Sequence, residues 1–157
     1  MTNILDISNL SIKDNSGTKL IHNINLGLKQ SKVNVLVGES GSGKSLTAKA
    51  LVQRVPRTLD MEFDGLRYKN QSVIDMHTLL GKDIGFISQD YTHSFNDHTK
   101  LGKQLMAIYR MHYKVKKAVA KQFVIKALQW VDLVPDQVMD RYCFSLPGGR
   151  LARVPVA

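Results

Sequence analysis

Gly38-Glu39-Ser40-Gly41-Ser42-Gly43-Lys44-Ser45 matches the pattern G-x-x-x-x-G-K-[ST] at every fixed position. The glycines of such a stretch let the backbone curl so that successive N–H groups point inward at phosphates. Lys44 then reaches the β- and γ-phosphates, and the Ser45 hydroxyl offers an oxygen to Mg²⁺. Before it, Val33-Asn34-Val35-Leu36-Val37 is a β-branched run that predicts a buried strand. After it, Leu46-Thr47-Ala48-Lys49-Ala50-Leu51-Val52 predicts a helix. Strand, glycine loop and helix together place phosphate on a helix N-terminus. A glycine-rich turn with a stray lysine is the bland alternative, and both flanks weigh against it. The stretch predicts a bound nucleoside triphosphate.

At 157 residues and 43% hydrophobic content, one core and one domain are expected. No apolar run is long enough to span a bilayer, and Met1-Thr2-Asn3-Ile4-Leu5-Asp6 has neither a basic start nor an apolar core of the signal-peptide kind. The chain is therefore expected to be neither inserted nor secreted by a signal of its own. Cys143 is the single cysteine, which forms no internal disulfide and suits a reducing cytosol. The formal charge of +9 would suit nucleic acid, an anionic membrane or nucleotide phosphates. Much of it lies in Lys114, Lys116, Lys117, Lys121 and Lys126, within what reads as one helix with Val119, Phe123, Ala127, Leu128 and Val131 on its apolar face. Those lysines are read as a solvated face, and no zinc-finger spacing, RNA-recognition signature or basic heptad region supports a nucleic-acid partner.

Ile4–Ile12 and Leu20–Leu28 alternate apolar and polar residues around Asp14-Asn15-Ser16-Gly17, a hairpin-like pair of half-buried strands. Met61–Tyr68 reads as a strand broken by a turn. Asp83-Ile84-Gly85-Phe86-Ile87-Ser88-Gln89 reads as a short buried strand ending in a polar side chain. From Leu101 to about Asp132 the period is helical.

Further residues extend the reading. Gln89 stands 45 residues after Lys44 at the end of a predicted strand, and Leu146-Pro147-Gly148-Gly149 follows a helical stretch. With the phosphate loop, these resemble the ATP-binding subunits of ABC transporters, where a glutamine and an L-S-G-G signature hold those places. Asp140-Arg141-Tyr142-Cys143-Phe144 and Ser94–Leu105 are similar to the branch that imports dipeptides, oligopeptides and nickel. The resemblance covers essentially the whole chain. It implies an α/β fold of the P-loop NTPase type, with an N-terminal antiparallel β subdomain, a partial parallel sheet and an α-helical subdomain, the C-terminal half of the catalytic core being absent. By this resemblance, residues 1–157 form a partial ATP-binding domain: 1–90 the β subdomain and core, 91–145 the helical subdomain, 146–157 a degenerate signature region.

The same resemblance implies ATP and Mg²⁺ as ligands, held by Gly38 through Ser45, with Ser45 and Gln89 toward the metal and Gln89 toward the attacking water. It implies transmembrane permease subunits as partners, contacted through Leu101–Asp140, where Tyr109, Met111 and Tyr113 serve as packing residues. It also implies a second ATP-binding subunit in a head-to-tail dimer, and a cytoplasmic place on the inner face of the membrane.

Four departures temper these implications. Pro147 stands for the signature serine and has neither hydroxyl nor N–H to offer. Arg150–Ala157 follows the signature helix only loosely, with Pro155 expected to break it and Ala152 where the family has Gln or Glu. No aromatic residue lies in the Ser11–Ser16 region to stack adenine; His22 is the nearest substitute and reads better as a surface histidine, while His77, His93, His98 and His112 show no metal-ligand spacing. Lastly, the family's acidic pair after a further strand, and its switch histidine, have no counterpart in these residues. Residual nucleotide binding with negligible turnover is expected, no catalytic set being complete. With the neighbouring strands absent, Val33–Val37 is expected to leave exposed strand edges and an apolar face. A non-catalytic interaction or regulatory module, and a decayed gene product, are the competing readings.

Overall fold

A computed structural model describes residues 2–156. The alternating segments near the start form β1 (Asn3–Asp14) and β2 (Lys19–Lys29), paired antiparallel with Ile7 opposite Leu26 and Ile12 opposite Ile21. Leu5, Ile7, Leu10 and Ile12 are all buried, although a regular strand would send Ile7 and Leu10 to opposite faces. A register shift between them restores the phase. There Asn9 adopts φ 53°, and its N–H donates to the Asn25 side-chain oxygen at 2.9 Å. At the hairpin turn the Asp14 carboxylate accepts from the N–H groups of Ser16 and Thr18, both at 2.9 Å, and from the Ser16 hydroxyl. These bonds, the Ser16 hydroxyl first, hold its pKa below the ordinary value.

β3 (Leu59–Glu62) and β4 (Gly65–Tyr68) share the other edge of β1, and β5 (Gln71–Ser72) pairs with β4. The broken strand read over Met61–Tyr68 is this β3–β4 pair. Across the sheet, α1 (Lys44–Leu51) buries Ala50 and Leu51 against Leu5, Leu10, Ile21, Leu66 and Met76. Gln53 locks the chain beyond it, accepting from the Met76 N–H at 2.8 Å and donating to the Ile74 carbonyl at 3.2 Å. These elements lie in the first of two compact units, Met1–Ile84.

Two expected strands are absent from the sheet. Val33–Val37 is unpaired, with Val33 92%, Val35 75% and Val37 85% exposed. A central strand of a parallel sheet is buried by its neighbours, and among the described residues no strand lies beside this one. The segment Asp83–Gln89 forms only an isolated bridge between Leu80 and Ile84, and Ile87 is exposed. The parallel part of the expected sheet is thus unformed among the described residues.

The second unit, Gly85–Ala157, is helical. It comprises α2 (Leu101–Tyr113), α3 (Lys117–Trp130), α4 (Pro135–Met139) and α5 (Gly148–Leu151). Leu101, Leu105, Val124, Leu128, Val138, Leu146 and Val154 build its core. The lysine-rich stretch is not one helix. Lys114 ends α2 in the left-handed region at φ 51°, Lys116 caps α3, and only Lys117, Lys121 and Lys126 ride on α3. The lysines are exposed as expected, but the buried face of α3 is Ala120, Val124, Ala127 and Leu128, with Val119 and Phe123 at its rim. Pro135 opens α4 at the first turn, where its missing N–H costs nothing. Arg153 fastens the end of the chain by donating to the carbonyls of Val131 and Asp132 at 3.1 and 3.2 Å.

Cys143 is buried in this core, and its thiol donates to the Asp97 carboxylate at 2.8 Å. That bond, then burial, raises its pKa above the ordinary value. An unfolded thiol ionises near about pH 8.5. Between that pH and the higher folded value, the unfolded chain releases a proton that the folded chain keeps. The contribution to stability is therefore complete below about pH 8.5 and is lost as pH rises further. Urea midpoints should fall on going from neutral pH to about pH 9.5, and fall less in Cys143→Ala. Equal falls in both proteins would disprove the assignment to this thiol.

Candidate functional site

The loop joining Val37 to α1 is built around two left-handed glycines, Gly41 at φ 83° and Gly43 at φ 86°. Gly43 is also the N-cap of α1, and the helical ladder begins with the Thr47 N–H donating to the Gly43 carbonyl at 2.8 Å. The amides of Lys44, Ser45 and Leu46 precede that ladder, at the positive end of the helix. No acidic residue stands in the first turn to offset them.

Lys44 folds back over the loop. Its ammonium donates to the Gly38 carbonyl at 2.7 Å, to the Glu39 carbonyl, and to the Ser42 hydroxyl at 3.3 Å. Ser42 in turn bonds the Glu39 carbonyl through its hydroxyl at 2.8 Å and its N–H at 3.3 Å. Glu39 shapes the loop with its backbone, as Ser42 does with its side chain. The result is a tight turn that holds a cation just ahead of the first-turn amides of α1, donor types suited to an anion of phosphate size. A Cβ at Gly38 would come within 2.8 Å of the Ser42 oxygen and crowd this turn. Ser45 follows Lys44, and a serine hydroxyl is a hard oxygen of the kind that Mg²⁺ prefers.

Sequence reasoning missed the residue on which the loop rests. A Cβ at Gly43 would lie 2.4 Å from Cδ1 of Ile21, a β2 residue only 3% exposed. Nothing in the sequence links the two positions. Gly43→Ala should cost about 2–4 kcal/mol, combining left-handed strain with overpacking. Ile21→Val removes the blocking methyl, so the penalty in that background should shrink to the strain alone. Thermal melts of the four proteins make the test, and equal penalties in both backgrounds would show that Ile21 is not what excludes a side chain.

The remaining expected residues lie elsewhere. Gln89 is exposed in an irregular segment of the second unit, whereas the loop belongs to the first. Leu146 is buried in the helical core. Pro147 is the N-cap of α5, and its carbonyl accepts from the N–H groups of Arg150 and Leu151 at 2.9 and 3.0 Å. Gly148 and Gly149 open that helix, which ends at Leu151, ahead of Pro155. Tyr109 is half-buried and stacks on Phe123 with ring centroids 5.5 Å apart, while Met111 and Tyr113 are exposed. His22 is exposed on β2, His93 bonds Asp90 at 2.9 Å, and no group of three or more His, Cys, Asp or Glu among the described residues is placed to hold a metal.

Comparison with known proteins agrees with the fold. Residues 21–157 match the family of ABC transporters. The nickel import system ATP-binding protein NikD of Staphylococcus aureus strain USA300 is 47% identical over 154 residues, 98% of this chain and 60% of that protein. Its counterpart in strain MRSA252 is 46% identical over the same lengths. The chain thus spans about 60% of these relatives. Among solved structures, MJ0796, a dimeric bacterial ABC transporter cassette, superposes with a TM-score of 0.80 at 18% identity, over 97% of this chain and 67% of the other. CbiO1 of Clostridium perfringens, part of the ABC transporter complex CbiONQ, gives 0.73 at 19% identity, over 99% and 60%. At such identities these two show the fold, that of P-loop ABC ATPases. On the family match over most of its length, this chain belongs to the ABC transporter family.

Proposed function

We propose that this chain is the nucleotide-binding portion of an ATP-binding subunit of an ABC importer, of the nickel or peptide type. The observation that carries the reading is Lys44, held over the Gly38–Ser45 loop at the head of α1. The likeness to NikD supports the importer branch and nickel as a cargo. Gly38 through Ser45 bind the phosphates of ATP, Lys44 neutralises their charge, and Ser45 and Gln89 furnish oxygens for Mg²⁺. The importer's transmembrane permease subunits and a second ATP-binding subunit, packed head to tail, are the partners, on the inner face of the membrane. Pro147, lacking a hydroxyl, donates nothing to a nucleotide held by that second subunit.

Binding without turnover is the expected behaviour of these 157 residues, which contain no acidic pair at a strand end to position water. A fluorescent ATP analogue titrated with Mg²⁺ should bind saturably, be displaced by unlabelled ATP, and release no phosphate. Ser45→Ala should retain part of the binding but lose its Mg²⁺ dependence. A chain with native far-UV circular dichroism and no saturable binding would refute the reading.

A further inference from the structure

Leu5 and Ile7 of β1 are buried in the core, so the alternation of the strand puts Asp6 and Ser8 on the open face of the sheet. Asp6 is in register with Gly27 on β2 and with Arg67 on β4, and Ser8 with Gly65. The two glycines leave a trough there, a cavity of about 660 Å³ whose lining includes Asn25, Asp64, Arg67 and Asn70. No side chain fits at Gly27, where a Cβ would lie 2.3 Å from the Asn3 amide nitrogen and 2.8 Å from Oδ1 of Asp6.

Asp6, Asp64 and Arg67 all line this trough, and neither aspartate pairs with the arginine. Opposite charges directly across a strand pair ordinarily attract and bond each other. Asp6 and Arg67 stand so, yet the ion pairs of the described residues are Lys13–Glu62, Lys69–Asp83, His93–Asp90 and Lys100–Asp140. Asp6 accepts instead from the Asn3 side chain at 2.5 Å, and Asp64 from the Asn9 side chain at 3.1 Å. Each bond uses one carboxylate oxygen and leaves the other with no protein donor among the described residues.

The signs of these charges select the occupant. A simple anion meets Arg67 but is repelled by two carboxylates, and a simple cation is repelled by Arg67. A neutral polyol leaves every charge unmatched. A ligand carrying two cations and one carboxylate matches them all. The Cβ atoms of cross-strand partners are about 5 Å apart, so a carboxylate and an ammonium borne on one carbon suit the Arg67–Asp6 pair. Asp64 adjoins Ser8, its N–H donating to the Ser8 carbonyl at 3.0 Å, and Ser8 is about 7 Å along β1 from Asp6. The methylene stem of a lysine or ornithine spans a gap of that order. We propose that this trough binds a basic α-amino acid, its carboxylate on Arg67, its α-ammonium on Asp6 and its side-chain cation on Asp64. The site uses no residue of the phosphate loop and does not rest on nucleotide binding.

Amide spectra of the isotope-labelled full chain, titrated with L-lysine, test this. The Gly27 and Gly65 amides should shift saturably, and added salt should weaken the binding. Nα-acetyl-lysine, lysine amide and norleucine each lack one of the three charges. Each should bind on the order of tenfold more weakly, the share of one charged hydrogen bond. Arg67→Gln, Asp6→Asn and Asp64→Asn should each weaken lysine to a similar degree, with circular dichroism as the check on the fold. Norleucine, having no side-chain cation, should bind the Asp64→Asn chain as it binds the original. Asp60→Asn/Lys19→Gln, which removes one exposed charge of each sign outside the trough, should leave lysine binding unchanged. Absence of saturable shifts, equal binding of norleucine and lysine, or lysine binding indifferent to Arg67→Gln would each overturn the proposal. So would glycerol producing the same shifts, which would mark a hollow that takes any polar solute.

Discussion

Lys44→Ala is expected to remove nucleotide binding while leaving the fold in place. In the structure the ammonium spans the loop from Gly38 to Ser42, and on the proposed reading it is the group that meets the charge of the phosphates. Truncating one member of a desolvated charge pair costs about 2–5 kcal/mol, much of it from the charge left unmatched. At 1.4 kcal/mol per decade this is roughly thirtyfold to several thousandfold in Kd. The cost to folding should be small, because the loop is exposed and its bonds exchange readily with water. Lys44→Arg should not restore binding, since a planar fork cannot occupy the place of a compact ammonium that bonds three oxygens of one tight turn. Titration with a fluorescent ATP analogue, beside thermal melts of both variants, separates the two effects. Binding that survives Lys44→Ala within a few fold would mean that the ligand lies elsewhere.

Gly102→Ala should be the most damaging methyl that can be added to the helical unit. A Cβ there would lie 2.7 Å from the Met139 carbonyl oxygen and 2.9 Å from its Cα. These are backbone atoms, so no rotamer change relieves the contact; α2 and α4 must separate. Separation is resisted at both ends of the contact, by Val138, 1% exposed, and by the Leu101 N–H donating to the Arg141 carbonyl at 2.8 Å. Replacing glycine in a helix ordinarily gains up to about 1 kcal/mol. Overpacking costs about 1–3 kcal/mol or more, and with backbone on the other side the upper part of that range applies. A net loss of about 2–3 kcal/mol is expected, read as a lower urea midpoint. Gly149→Ala, whose Cβ would meet nothing within 4 Å, is the reference and should change little. Similar midpoints for the two variants would mean that α2 and α4 do not approach so closely.

What was legible in the sequence follows from how local each signal is. The phosphate loop is read from eight adjacent residues because its shape depends on glycine backbone freedom and one lysine, both local. The β1–β2 hairpin is nearly as local: alternation and the Asp14–Gly17 turn sufficed, and what stayed hidden was the set of register shifts, the one at Asn9 among them. The break at Lys114 had no signal, since no Gly, Pro or Asn stands between Tyr113 and Lys117 and the left-handed residue is a lysine. The buried face of α3 was misplaced by one residue because Val119 and Phe123 are as apolar as Ala120 and Val124, and only α2 decides between them. Val33–Val37 reads as a strand made for burial, and its exposure was legible only from the absence of the family's neighbouring strands, because burial is conferred by neighbours; that it would not form a strand at all had no signal. Ile21 behind Gly43, and Met139 behind Gly102, are contacts between distant segments that no pattern encodes.

The exposed ribbon at Val33–Val37 also bears on how the first unit melts. Exposing apolar surface on unfolding raises the heat capacity. Val33, Val35 and Val37 are already in water when the unit is folded. They contribute almost nothing to that increment, nor to the denaturant slope that scales with the same change in surface. The unit's stability curve is therefore flatter than its content of valine and leucine suggests, and a docked strand that buried the ribbon would steepen it.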